Sequence, residues 1–171
     1  MQSARTRLVL SAIAALCFAT AAFAQMPAYT KAGPMPTALA TAKTVFVSNA
    51  GSDSGLFSAG GYAGDPDRAY TEFYAALKAT GDFPLVADPA QADLVLELRL
   101  TEPVKIDFDL PEPMFRLVVY DAKSHYVLWT ITRSIGLGAR PSTKEKNFDT
   151  ALAGVLNQFL QITGKSPAPA H

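Results

Sequence analysis

Between residues 93 and 100 apolar and polar positions alternate, with Leu94, Leu96, Leu98 and Leu100 on one side and Val95, Glu97 and Arg99 on the other. A period of two with one all-leucine side predicts a strand that buries one face. Shorter runs rich in β-branched and aromatic residues predict further strands at 43–48, 83–87, 115–120 and 126–132. The last two flank Asp121-Ala122-Lys123-Ser124-His125, read as a hairpin loop. Trp129, on the return strand, reads as a core or sheet-face residue.

Two segments carry the helical period instead. Ala69, Tyr70, Phe73, Tyr74 and Leu77 form one apolar stripe that stops before Gly81. Asp65-Pro66 predicts where that helix starts, with Asp as the cap and Pro in the first turn, where a missing N–H costs nothing. Phe148, Ala151, Leu152, Val155, Leu156 and Phe159 form the second stripe. Ser142-Thr143-Lys144-Glu145 precedes it at capping-box spacing, and Gly164 follows. The order strand, helix, three or four strands, helix predicts an α+β fold. We expect a two-layer α/β sandwich, with both helices on one face of a mostly antiparallel sheet of four to five strands.

This pattern occupies residues 41–164, read as a single domain. A Pro-rich lead-in at 25–40 contains Pro27, Gly33, Pro34 and Pro36, and a Pro/Ala-rich tail covers 165–171. No internal repeat of 20–50 residues is evident.

The first 24 residues follow another rule. Arg5 and Arg7 precede an apolar run at 8–18 broken only by Ser11, and Ala22-Phe23-Ala24 offers a small-x-small cleavage site before Gln25. These are the three parts of a secretory signal peptide, so we expect export to the periplasm or exterior after cleavage near Ala24-Gln25. The run is short for a membrane span, which takes roughly 20 residues, and no stop-transfer charges follow it. Cys17 is preceded by Leu16, a bulky side chain where a lipobox needs a small one, which argues against a lipid anchor. Cleavage there removes the only cysteine and leaves 13 basic against 15 acidic side chains, a formal charge of −2.

Composition narrows the function classes. With 49% apolar and 18% charged residues, the chain is no disordered polyelectrolyte. With 15 basic and 15 acidic side chains it lacks the excess charge of a nucleic-acid binder.

Two stretches resemble a recurring pattern in small bacterial envelope proteins. Leu117-Val118-Val119-Tyr120-Asp121-Ala122-Lys123-Ser124-His125-Tyr126-Val127-Leu128-Trp129 is similar to their strand ending in Asp, short turn and return strand with a Leu-Trp pair. Ala87-Asp88-Pro89-Ala90-Gln91-Ala92-Asp93-Leu94-Val95-Leu96 is similar to their lead into a central strand. Those families are mostly periplasmic proteins or lipoproteins of unknown function. The region 41–163 also resembles the α/β N-terminal domain of the Tol-system β-propeller protein, an interaction module. The resemblance implies an α/β domain and an envelope protein as partner. Its motifs are structural, so no catalytic residue comes with them.

Catalytic chemistry finds little support. The two histidines, His125 and His171, have no partner at metal-ligand spacing, and no HExxH or GxSxG motif occurs. Asp121 and His125 offer no serine except Ser124. No cofactor is expected, and the protein reads as a non-enzyme. In the Pro-rich excursion, alternation places Asp107 and Asp109 on one strand face, a pattern for a divalent ion or for a solvated strand edge.

The glycine-rich loop at 50–64 lies between a strand and a helix, as phosphate loops do. Gly60, Gly61 and Gly64 could turn backbone amides toward an anion, but Asp53, Asp65 and Asp67 oppose phosphate and no GxGxxG is present. Leu56, Phe57 and Tyr62 have no periodic reason to be in that loop. They either fold back on the domain or present a patch to a protein partner. The expectation is therefore an accessory module of the envelope contacting its partner through Leu56, Phe57 and Tyr62. The alternative is a small-ligand, anion or divalent-ion binder, or a weak hydrolase, using Gly60, Gly61, Gly64, Asp107 and Asp109.

Overall fold

The computed structural model describes residues 33–58, 61–102 and 112–166. The chain divides into two compact units, Met1–Pro34 and Met35–His171, and every element below belongs to the second. In chain order these are α1 (Thr37–Thr41), β1 (Val45–Ser52), a 3-10 turn (Ser54–Phe57), α2 (Arg68–Thr80), β2 (Leu94–Thr101), β3 (Met114–Asp121), β4 (Val127–Ser134) and α3 (Pro141–Ile162).

The four strands form one sheet in the order β1-β2-β3-β4. β1 and β2 run parallel because α2 carries the chain back across the sheet between them. The β2–β3 and β3–β4 pairs are antiparallel. The alternation at 93–100 does what it predicts: Leu94, Leu96, Leu98 and Leu100 are fully buried. They face the same core as Val45, Val47, Phe115, Leu117, Val119 and Ile131. From the helices come Ala69, Phe73 and Leu77 of α2, and Phe148, Ala151, Leu152, Val155, Leu156, Phe159 and Leu160 of α3. Both helices therefore cover one face of a mostly antiparallel sheet, as the pattern predicted.

Four local expectations change. The 83–87 segment is not a strand. Leu85 makes one isolated parallel bridge to Val45, held by Val45 N–H to Pro84 O at 3.1 Å and Val86 N–H to Val45 O at 3.0 Å. Pro84 has no N–H to extend that ladder, so the described sheet has four strands. β1, in contrast, runs on to Ser52 across a register shift between Asn49 and Ser52. Gly51 takes φ 78° there, a left-handed conformation that glycine tolerates, and its N–H donates to Asn49 Oδ1 at 2.9 Å. Both helix starts also move. α2 begins at Arg68, with Asp65 Oδ1 accepting instead from Asp67 N–H at 2.8 Å. α3 begins with Pro141, whose fixed φ suits the first helical position, and no side chain caps it.

In the stretch read as a lead-in, Thr37–Thr41 is a helical turn that buries Leu39 completely. Asp93 then aligns the neighbouring strands. Its Oδ2 accepts from the N–H groups of Lys43 at 2.8 Å and Thr44 at 3.2 Å, just where β1 and β2 begin their parallel pairing. The Ala92-Asp93-Leu94 signal thus has a physical role: it sets the register of a parallel pair.

Candidate functional site

The glycine-rich loop folds back onto the domain. Leu56 is only 6% exposed, and Phe57 and Tyr62 are half-buried against the core. The Tyr62 ring lies 6.3 Å from that of Phe57 and 5.2 Å from that of Phe148, the latter fully buried at the start of α3. Leu56 is thereby withdrawn from the surface it was expected to share with Phe57 and Tyr62. Gly61 marks how tight the fold-back is, since a Cβ there would lie 2.1 Å from Leu56 O. Gly64, at φ 93°, lies against the Arg68 side chain. Gly60, Asp107 and Asp109 lie outside the described residues.

Arg68 is the knot that holds this arrangement. Its guanidinium sits 4.2 Å above the Phe148 ring centroid. It pairs with Glu72 at 2.7 Å, with Asp149 at 3.2 Å and with Glu145, and it donates to Ala63 O at 3.0 Å. Glu145 Oε1 meanwhile accepts from Ala63 N–H at 3.0 Å. Loop, α2 and α3 are thereby tied together. Burial pushes the Glu145 carboxyl up, but the Ala63 N–H and the Arg68 guanidinium outweigh it and hold it below its usual value. The Tyr62 phenol is raised by burial and then by the negative charges of Glu145 and Glu102.

Asp121 and His125 both belong to the turn between β3 and β4. Asp121 Oδ1 accepts from the N–H groups of Lys123 at 3.1 Å and Ser124 at 2.6 Å, closing the turn. His125 takes φ 61° at that turn and is exposed. Among the described residues, no group of three or more His, Cys, Asp or Glu is placed to hold a metal ion. No described helix is long and apolar enough to cross a membrane.

The face of the sheet that no described helix covers has a definite chemistry. Phe46, Val95, Tyr120 and Val127 are aligned by the register across all four strands, one from each. Val127 is 53% exposed, and Tyr126, beside it in the turn, is 75% exposed. The next rank is Ser48, Glu97, Val118 and Thr130, where the Tyr120 hydroxyl approaches Glu97 Oε2 at 3.5 Å. Beyond it Arg99 stands opposite Arg116. Arg99 pairs with Asp53 at 3.3 Å, while Arg116 has no ion pair among the described residues. The face therefore grades from an aromatic and aliphatic end to a basic end. Sequence reading missed it because the signal lies across strands. Phe46, Val95, Tyr120 and Val127 become a row only once the register is known.

Comparison with known proteins adds only distant likenesses. No family model matches the chain, and no curated protein matches it. Among solved structures, it is similar to a Xanthomonas campestris protein of the DUF330 family at 13% identity, over 73% of this chain and 82% of that one, TM-score 0.45. A PelC dodecamer from Paraburkholderia phytofirmans matches at 20% identity, over 75% and 93%, TM-score 0.46. A lipoprotein from Neisseria meningitidis matches at 13% identity, over 70% and 99%, TM-score 0.37.

Proposed function

We propose that this protein is an exported, non-enzymatic accessory module of the bacterial cell envelope that works by binding a protein partner. The single observation that carries the reading is the row Phe46, Val95, Tyr120 and Val127, which ends beside the exposed Tyr126 on a sheet face bare of described helices. At the β4 edge Val127 and Tyr126 are exposed, with Phe46, Val95 and Tyr120 half-buried behind them, which supports a contact surface at that edge. The signal-like first 24 residues support export. Arg99 and Arg116 at the far end of the face favour a partner with an apolar ridge flanked by carboxylates.

The test is capture of envelope components by the chain as its producing cell processes it, beside Val127→Glu and Arg116→Glu. One stoichiometric partner, lost with Val127→Glu and weakened more at low salt than at high salt by Arg116→Glu, is the expected result. Undiminished capture by both variants would place the contact elsewhere and refute this surface.

A further inference from the structure

A second surface lies on the opposite, helix-covered side, where the end of β4 meets the middle of α3. An open groove of about 340 Å³ is lined there by Arg133 and Ser134 of β4, Gly136 after it, and Asn147 and Gly154 of α3. Arg133 is opposite Phe115 in the register, so it leaves the sheet on the face that supplies the core, at its exposed rim. The helix makes room for it at Gly154, where a Cβ would sit 3.1 Å from Arg133 Nε. A mid-helix glycine weakens a helix, and here it lets a guanidinium lie against the backbone.

The two arginines that approach α3 are treated differently. Arg68 is surrounded by Glu72, Glu145 and Asp149. Arg133 has no carboxylate partner among the described residues, and Glu145 and Asp149, the acidic groups of the facing helix, are both engaged by Arg68. Asn147 Nδ2 donates to Gly136 O at 2.8 Å, which leaves its Oδ1 as an acceptor. The groove thus offers a fork of donors from Arg133 and one amide acceptor from Asn147.

The geometry points to a binding site for a small carboxylate that carries an N–H or O–H donor next to its anionic group. The carboxylate takes the Arg133 fork in bidentate fashion, and the adjacent donor reaches Asn147 Oδ1. A volume of about 340 Å³ suits a ligand of the size of an acylated amino acid or a hydroxy acid. Gly154 and Arg133 act together here, since a Cβ at 154 would press on the guanidinium and force it to give by a few tenths of an ångström.

The experiment is an amide chemical-shift titration of the ¹⁵N-labelled protein, as its producing cell processes it, with N-acetylglycine, its neutral methyl ester and inorganic phosphate at constant ionic strength. Saturable shifts at Ser134, Gly136, Asn147 and Gly154 with N-acetylglycine and not with the ester are expected. Arg133→Gln weakens that binding by roughly tenfold to a hundredfold, the loss of a charged hydrogen bond. Gly154→Ala, which leaves every polar group in place, weakens it in the same direction. Shifts spread evenly over Lys78, Lys123 and other exposed cations, equal binding of the ester, or unchanged binding in Arg133→Gln would overturn the assignment. Tighter binding of phosphate than of N-acetylglycine would overturn the carboxylate class.

Discussion

Glu145 Oε1 accepts a hydrogen bond from the backbone N–H of Ala63 at 3.0 Å, joining α3 to a loop that precedes α2. This is the residue whose spacing from Ser142 promised a capping box. Pro141 starts the helix without a side-chain cap, and the carboxylate is left free to reach across to the loop. Glu145→Ala should therefore release the loop more than the helix. Hydrogen exchange at the Ala63 amide is expected to lose protection while the amides of α3 beyond Phe148 keep theirs. Equal loosening of both would show that Glu145 supports the helix locally.

Phe148 carries the packing half of the same junction. It is fully buried, meets the Phe115 ring edge-on at 5.0 Å and the tilted Tyr62 ring at 5.2 Å, and supports Arg68. Phe148→Ala is expected to cost about 3–5 kcal/mol in chemical denaturation, the range for an emptied aromatic site. A loss below about 1 kcal/mol, less than a typical buried truncation, would contradict the packing described.

Two glycines in the loop separate close packing from mere loop composition. At Gly61 a Cβ meets Leu56 O at 2.1 Å, whereas at Gly55 it meets nothing within 4 Å. Gly61→Ala should destabilise by roughly 1–3 kcal/mol, as overpacked positions do. Gly55→Ala should be neutral or slightly stabilising, because alanine restricts only the unfolded chain. Thermal melts of the two variants decide it, and equal melts would contradict the fold-back.

The sequence pattern exposed the layers but not the surfaces. Leucines at 94, 96, 98 and 100 have one stable place, a buried sheet face, so fold class follows from period alone. The apolar residues Leu56, Phe57 and Tyr62 break that logic, because a loop has no period to say which way a side chain turns. The structure turns Leu56 inward. Arg133 was illegible for a related reason. Its single sequence signal is Gly154, a helix-interior glycine twenty-one positions on, and only the register of β4 against α3 connects them.

Acid should loosen the molecule in a defined direction. The N–H groups of Lys43 and Thr44 hold Asp93 below the ordinary carboxylate value, and those of Ser124 and Lys123 do the same for Asp121. Glu145 is lowered as well. A group whose folded pKa is depressed contributes stability above its unfolded value, near 4, and loses it as pH falls through the folded value. Melting temperature is therefore expected to hold from neutrality to about pH 5 and to fall below about pH 4, on the ordinary carboxylate scale. Asp93→Asn should melt below the parent at neutral pH, with the gap closing in acid. A gap that stays constant from neutrality into acid would contradict the assigned role of the carboxylate.

The proposed partner contact is the sheet face ending at Tyr126 and Val127, and not the folded-back loop or the outer surface of α2. Site-specific photo-crosslinking in living cells tests it most directly, with the crosslinker placed in turn at Tyr126, Val127, Phe57 and Lys78. The expected result is one discrete adduct of the same size from positions 126 and 127, absent from position 78 and weak or absent from position 57. An adduct from position 57 alone, or none from 126 and 127 while the protein is folded and exported, would contradict the account.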